Sequence, residues 1–138
     1  MAYKHLFVDS DVLMDMLLNR EPFFAYTNFL LYESTSRPLK LSTSSLIIAN
    51  INYILEKKLG VSTAKEAIRK LIKLVQILPF ESDIIALALD SKISDFEDAV
   101  QNLIAERYEC DVLITRNIKD YKQATIPVLT AEQFLRTL

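Results

Sequence analysis

Glycine is nearly missing from this chain. Gly60 is the only one in 138 residues. A GxGxxG fingerprint and a Walker A loop both need several glycines, because backbone amides must come close to a phosphate there. Rossmann-type dinucleotide binding and P-loop chemistry are therefore excluded. Cysteine is equally scarce: Cys110 stands alone and can form no internal disulfide, which fits a cytoplasmic protein. His5 is the sole histidine. One cysteine and one histidine argue against thiolate zinc chemistry. They also leave no pair of histidines for acid–base work. Long apolar runs are lacking too. "LIIA" at Leu46–Ala49 is typical, against the roughly 20 residues a helix needs to cross a bilayer. The N-terminus turns acidic before any signal-peptide core could form. A basic surplus is absent: formal net charge is −2. Contact with nucleic acid must then be local, or helped by bound cations or a partner.

What is present is ordinary globular composition, 51% hydrophobic and 25% charged, so a packed core rather than disorder is expected. The length favours a single domain, residues 1–138, able to bury about two-thirds of the surface its unfolded chain exposes. Five short apolar, β-branched runs read as strands: His5–Asp9, Leu39–Ser42, Val75–Phe80, Asp111–Thr115 and Ile126–Thr130. Between them lie helical patterns. In "STAKEAIRKLIKLV" apolar residues recur in steps of three and four from Ala64 to Val75. "SSLIIANINYILEKK" reads as a helix ending at Gly60. Pro22 is placed to start "FFAYTNFLLYES". Capping boxes are written at Thr63/Glu66, Ser94/Glu97 and Thr130/Gln133, the second opening a helix from Asp95 to Tyr108. Strands alternating with helices predict an α/β fold, a three-layer α/β/α sandwich with a mainly parallel central sheet. Sites in such folds lie beyond the carboxyl ends of the strands.

Acidic and amide residues fall at those ends. Asp9 closes the first strand, and Asp11 and Asp15 follow one helical turn apart. Asp95 and Asp98 open a helix, and Asn117 and Asp120 follow the strand "DVLIT". Aspartates also suit helix N-termini, where they complement the dipole, and this alone accounts for Asp11, Asp95 or Asp98 taken singly. Asp15 and Asp120 read mainly as solvated surface. Convergent carboxylates would raise one another's pKa unless a counter-charge joins them. A hard divalent cation is such a charge. Mg²⁺ takes oxygen ligands, keeps several waters and serves phosphoryl transfer.

These segments resemble a PIN domain over nearly the whole chain. The resemblance rests on "FVDSDVLMD", "LSTSSLIIANINYILEKK", "DFEDAVQNLIAERYECD", "VLITRNIKDY" and "IPVLTAEQFL" in that order. It implies a Mg²⁺- or Mn²⁺-dependent endoribonuclease that hydrolyses RNA phosphodiester bonds, of the kind found as toxins of type II toxin–antitoxin pairs. A cognate antitoxin and a homodimer are the implied partners, with no membrane. Carried over, Asp9 resembles the first metal-binding acid, and Asp98 the acid of the central helix with Asp95 beside it. Asn117 stands at the last acidic position, with Asp120 as a substitute, and Thr115 resembles the threonine just before it. Asp11 supports the same cluster. Asn50 stands where the family usually has a glutamate. Its amide adds no charge, so the cluster rests on Asp9, Asp95 and Asp98, and metal affinity is expected to fall. A catalytically weakened or inactive binding module of the same fold is the second reading. A haloacid dehalogenase-like phosphatase, from the D-x-D in "FVDSDVL", is a remote third. Lys57, Lys58, Arg116, Lys119 and Lys122 are candidate RNA contacts. The aromatics Phe23, Tyr26 and Phe29, with Leu30, read as core or dimer surface rather than base-stacking platforms.

Overall fold

A computed structural model describes residues 3–138. Every predicted strand is present: β1 (His5–Val8), β2 (Lys40–Ser44), β3 (Gln76–Leu78), β4 (Val112–Ile114) and β5 (Val128–Leu129). They form one sheet in the order β3-β2-β1-β4-β5, with every pairing parallel. Strand β1 is central. Leu6, Phe7 and Val8, like Val112, Leu113 and Ile114 of β4, are fully buried, as continuous apolar runs covered on both faces must be. Seven helices flank the sheet: α1 (Ser10–Leu18), α2 (Phe24–Ser36), α3 (Ser45–Leu59), α4 (Val61–Leu71), α5 (Asp83–Leu89), α6 (Phe96–Arg107) and α7 (Ala131–Leu135). A 3-10 turn spans Ile118–Tyr121. This is the expected three-layer sandwich.

The chain runs outward from β1 to β2 and β3 on one side, then returns to place β4 and β5 on the other. The strand order reverses between β1 and β4, and a crevice opens outside the carboxyl ends at such a point. Polar side chains at the end of β2 tie the sheet to its helices there. Thr43 Oγ1 donates to the Val8 carbonyl at 2.9 Å. Ser44 accepts from the Ile47 amide, capping α3, and donates to Gln101 of α6 at 2.6 Å. The Ser/Thr-rich stretch thus satisfies buried polar groups where α3 and α6 meet.

Helix starts differ from the sequence reading in three places. Gly60 ends α3 and also begins α4; its φ of +85° turns the chain so tightly that α4 starts at Val61. Thr63 therefore lies inside the helix and caps nothing. Helix α6 is capped by Asp95 rather than Ser94, with the Asp95 carboxylate accepting from the Asp98 amide at 2.9 Å. Pro22 lies inside a turn closed by the Phe24 amide on the Arg20 carbonyl, so α2 begins two residues later, at Phe24. The Thr130/Gln133 capping box on α7 forms as written.

Candidate active site

Asp9 follows the last residue of β1 and caps α1. Its Oδ1 accepts from the Ser10 amide at 2.8 Å. Its Oδ2 accepts from Thr115 Oγ1 at 2.9 Å and from the Tyr121 hydroxyl at 3.1 Å. The side chain is buried, 7% exposed. Burial first, and then the charge of Asp11, push its carboxyl up to about 6. Asp98 reaches the same place from the first turn of α6, and the Tyr121 hydroxyl interacts with it as well as with Asp9. Burial, then the charges of Asp95 and Asp9, push the Asp98 carboxyl to about 7; Asp120 adds to the shift. Two carboxylates from distant segments thus come within reach of each other's charge beside one phenol, which donates to Asp9. The phenol in turn is held protonated by burial and both acids.

Asp11 is turned toward the loop after β4. Its Oδ2 accepts from Asn117 Nδ2 at 3.0 Å, from the Arg116 amide at 3.1 Å and, more distantly, from Thr115 Oγ1 at 3.3 Å. Its Oδ1 is buried without a hydrogen bond, and burial raises its pKa despite these donors. Asp11 therefore fixes the loop that carries Thr115 and Asn117. That loop is braced further by the Asn117 amide on Thr115 Oγ1 at 3.1 Å. Asp95 spends one oxygen on its helix cap. Asn50 lies on α3 with its amide 3.4 Å from both oxygens of Glu97, the neighbour of Asp98. Asp120 is exposed, as expected.

Two readings need correction. Asp15 is not solvated surface but fully buried. Its Oδ1 takes Arg20 Nε at 2.9 Å, and its Oδ2 lies 3.0 Å from Arg116 Nε. Its position on the α1 face shared with Asp11 turns it toward the Arg116 loop, which sequence spacing alone does not reveal. Arg116 is then no free surface cation. Its guanidinium is ion-paired to Asp15 and stacked 4.0 Å over the Phe23 ring. Lys119 and Lys122 are exposed beside the acidic loop. Lys57 lies over the Tyr53 ring at 4.4 Å, and it and Lys58 close α3, where cations suit the dipole. Of the aromatic set, Leu30 is core, but Phe29 is 59% and Tyr26 36% exposed. Tyr121 is the site residue that sequence reasoning missed. Its only signal was its place in the same loop, "NIKDY".

The pair suits a hard cation in part. Its donors are all oxygens, and the raised pKa values come from burial first and then from neighbouring acids, both of which a counter-charge would offset. Among the described residues, however, no three histidine, cysteine, aspartate or glutamate side chains are grouped to hold an ion between them. The arrangement fits an ion that keeps most of its water, not one caged by protein. No described helix is long and apolar enough to cross a membrane.

Comparison with known proteins agrees with this architecture. Ribonuclease VapC1 of Aquifex aeolicus strain VF5 is 27% identical over 139 residues, covering 97% of this chain and 95% of that protein. Among solved structures, DNA-bound VapBC of Salmonella typhimurium superposes with a TM-score of 0.71 at 14% identity, over 93% of this chain and 98% of that one. A toxin–antitoxin complex from Klebsiella pneumoniae gives 0.65 at 23% identity, over 91% and 97%. These two likenesses establish a shared fold. The profile of the PIN domain matches residues 5–119, from the start of β1 to the loop that carries Asn117. With most of its length matched and its acids gathered where the strand order reverses, the chain belongs to the PIN domain family.

Proposed function

We propose that this protein is a Mg²⁺- or Mn²⁺-dependent endoribonuclease, the toxin of a type II toxin–antitoxin pair. One observation carries the reading: Asp9 and Asp98, 89 positions apart in sequence, come together beside Tyr121, whose hydroxyl donates to Asp9, and burial raises the pKa of each. A divalent ion bound there would lower the pKa of a water and offset charge on the transferring phosphoryl group. Asp9 and Asp98 are the residues that would hold it, with Asn117 as a neutral oxygen donor. Thr115 and Tyr121 fix the Asp9 carboxylate by donating to the same oxygen. Lys119 and Lys122 would meet the RNA backbone. The names of the similar proteins support an antitoxin partner, and a homodimer in the cytoplasm belongs to the same reading.

The test uses single-stranded and structured RNA with Mg²⁺ or Mn²⁺, then with EDTA, alongside an Asp9→Asn control. Cleavage that needs the ion and is lost in the control is the expected result. Cleavage that persists in EDTA overturns the reading. Asn50 and the lack of a third grouped acid favour one alternative, a PIN-fold module that binds RNA without cutting it. Ion-dependent RNA binding with no product would establish that alternative. The phosphatase reading loses its second aspartate, because Asp11 is engaged with the Arg116 and Asn117 loop.

Asn50→Glu supplies the missing charge. It is expected to tighten Mn²⁺ binding roughly ten-fold by calorimetry, the scale of an added or lost supporting group at a metal site. Weakened binding would mean that the Glu97 carboxylate already fills that space.

A further inference from the structure

We propose that the cavity between α1, the Pro22–Phe23 turn, α2 and α7 seats one unstacked RNA base, from a nucleotide next to the cut phosphate. The identity of the polymer rests on the ribonuclease reading. The cavity itself does not. It encloses about 290 Å³, near the small end of ligand pockets and of a size for one ring system. Val12, Phe23 and Tyr26 give it apolar walls, and Asp15 and Arg116 give it a polar one. Asp15 Oδ2 and Arg116 Nε are ion-paired at 3.0 Å and buried, while the Arg116 side chain as a whole keeps 32% of its exposure. Arg116 therefore offers the cavity guanidinium N–H donors and no acceptor.

Charge selects the occupant. Asp15 is matched by Arg20 and Arg116, and Glu132 at the rim by Arg136. A phosphate would meet two carboxylates, and a bare cation would meet a guanidinium. A neutral flat ring with N–H and C=O groups at its edge meets neither problem. It can stack on the partly exposed Tyr26 and offer a C=O of its edge to Arg116. Stacking on aromatics and hydrogen bonding along an edge is how unpaired RNA bases are held.

Position ties the cavity to the acids. Arg116 walls this cavity and also a second one, lined with Asn117, Lys119 and Asp120. It directly follows Thr115, which touches Asp9. A base seated against Arg116 therefore leads its backbone past Asn117 toward the Asp9–Asp98 pair.

The test compares Tyr26→Ala with Tyr26→Phe, which keeps the ring and loses only the hydroxyl. Short single-stranded RNAs, each with 2-aminopurine at one position, are bound to Asp98→Asn protein. Quenching is expected at one position, lost with Tyr26→Ala and kept with Tyr26→Phe. In the active background, Tyr26→Ala is expected to raise KM roughly ten-fold, the scale of one lost base stack, with kcat within about two-fold. If Tyr26→Ala binds and cuts RNA like the parent, the base site is overturned, as it would be were the cavity filled by a partner protein's side chain. If the parent neither binds nor cuts RNA, the ribonuclease reading falls separately. Adenosine and guanosine titrated by NMR then decide the cavity: shifts at Phe23 and Tyr26 uphold a base site, and their absence overturns it.

Discussion

Asp98→Asn is expected to cut RNA about 10²- to 10³-fold more slowly than the parent, the scale of losing a group that acts on the transition state. The same protein is expected to unfold at higher temperature than the parent near pH 7.5 in EDTA. The two effects have one cause. Folded, the Asp9 and Asp98 carboxyls titrate at about 6 and about 7; the unperturbed value is 3.8. The folded chain therefore holds these protons more tightly than the unfolded chain does. Their stabilising contribution is complete below about pH 4 and is lost as pH rises to about 7. For Asp9, only 7% exposed, the shift amounts to about 3 kcal/mol. Half-buried Asp98 contributes less than its shift suggests, because water screens it. Asparagine carries no charge at any pH in this range. Asp98→Asn should thus remove its own share of the loss and also relieve Asp9. Urea unfolding of the metal-free protein at pH 4.5 and 7.5 measures the difference. An equally steep decline in Asp98→Asn protein would show that the two acids are not coupled. Divalent ions should reverse the decline in the parent, binding more tightly as pH rises and releasing protons.

The sheet was legible in the sequence because most strands are short apolar runs lying between helical patterns; β2, with Leu41 its one apolar residue, is the weakest of them. The helix starts were less so. Ser94 and Asp95 are adjacent and both good caps, and only the backbone decides that Asp95 takes the role. Acids after separate strands pointed to the crevice, since parallel strands must bring their carboxyl ends to one edge. Direction along that edge was hidden. Asp11 and Asp98 look alike in sequence, yet Asp11 braces a loop while Asp98 faces Asp9. Tyr121 and Arg116 were hidden for a related reason. A phenol beside a charged loop carries no signal of its own and an arginine next to Asn117 reads as an RNA contact, and only the packing of α1 and α2 against that loop draws Arg116 inward.

Asp15→Ala is expected to cost about 2 to 3 kcal/mol of folding stability. A carboxylate with no exposed surface stands between two guanidinium groups. Removing one member of a fully buried ion pair costs roughly 3 to 5 kcal/mol, because the other charge is left unpaired. Here the side chains of Arg20 and Arg116 keep 38% and 32% of their exposure, so water can take up part of their charge and the lower figure applies. Exposed pairs such as Arg69–Glu66 should by contrast be worth under about 1 kcal/mol. Urea unfolding checks both. The effect should also reach the site. With Asp15 gone, Arg116 is held only by its amide on Asp11 and its stack on Phe23. The loop that aims Thr115 at Asp9 then loses one of its anchors, and RNA cleavage should fall along with stability. The double variant Asp15→Ala/Arg116→Ala separates the two contributions, because deleting both partners leaves one fewer stranded charge. Its stability loss should be smaller than the sum of the single losses. A strictly additive result would mean that Arg116 is held in place by Phe23 and the loop backbone, and that Asp15 serves Arg20 alone.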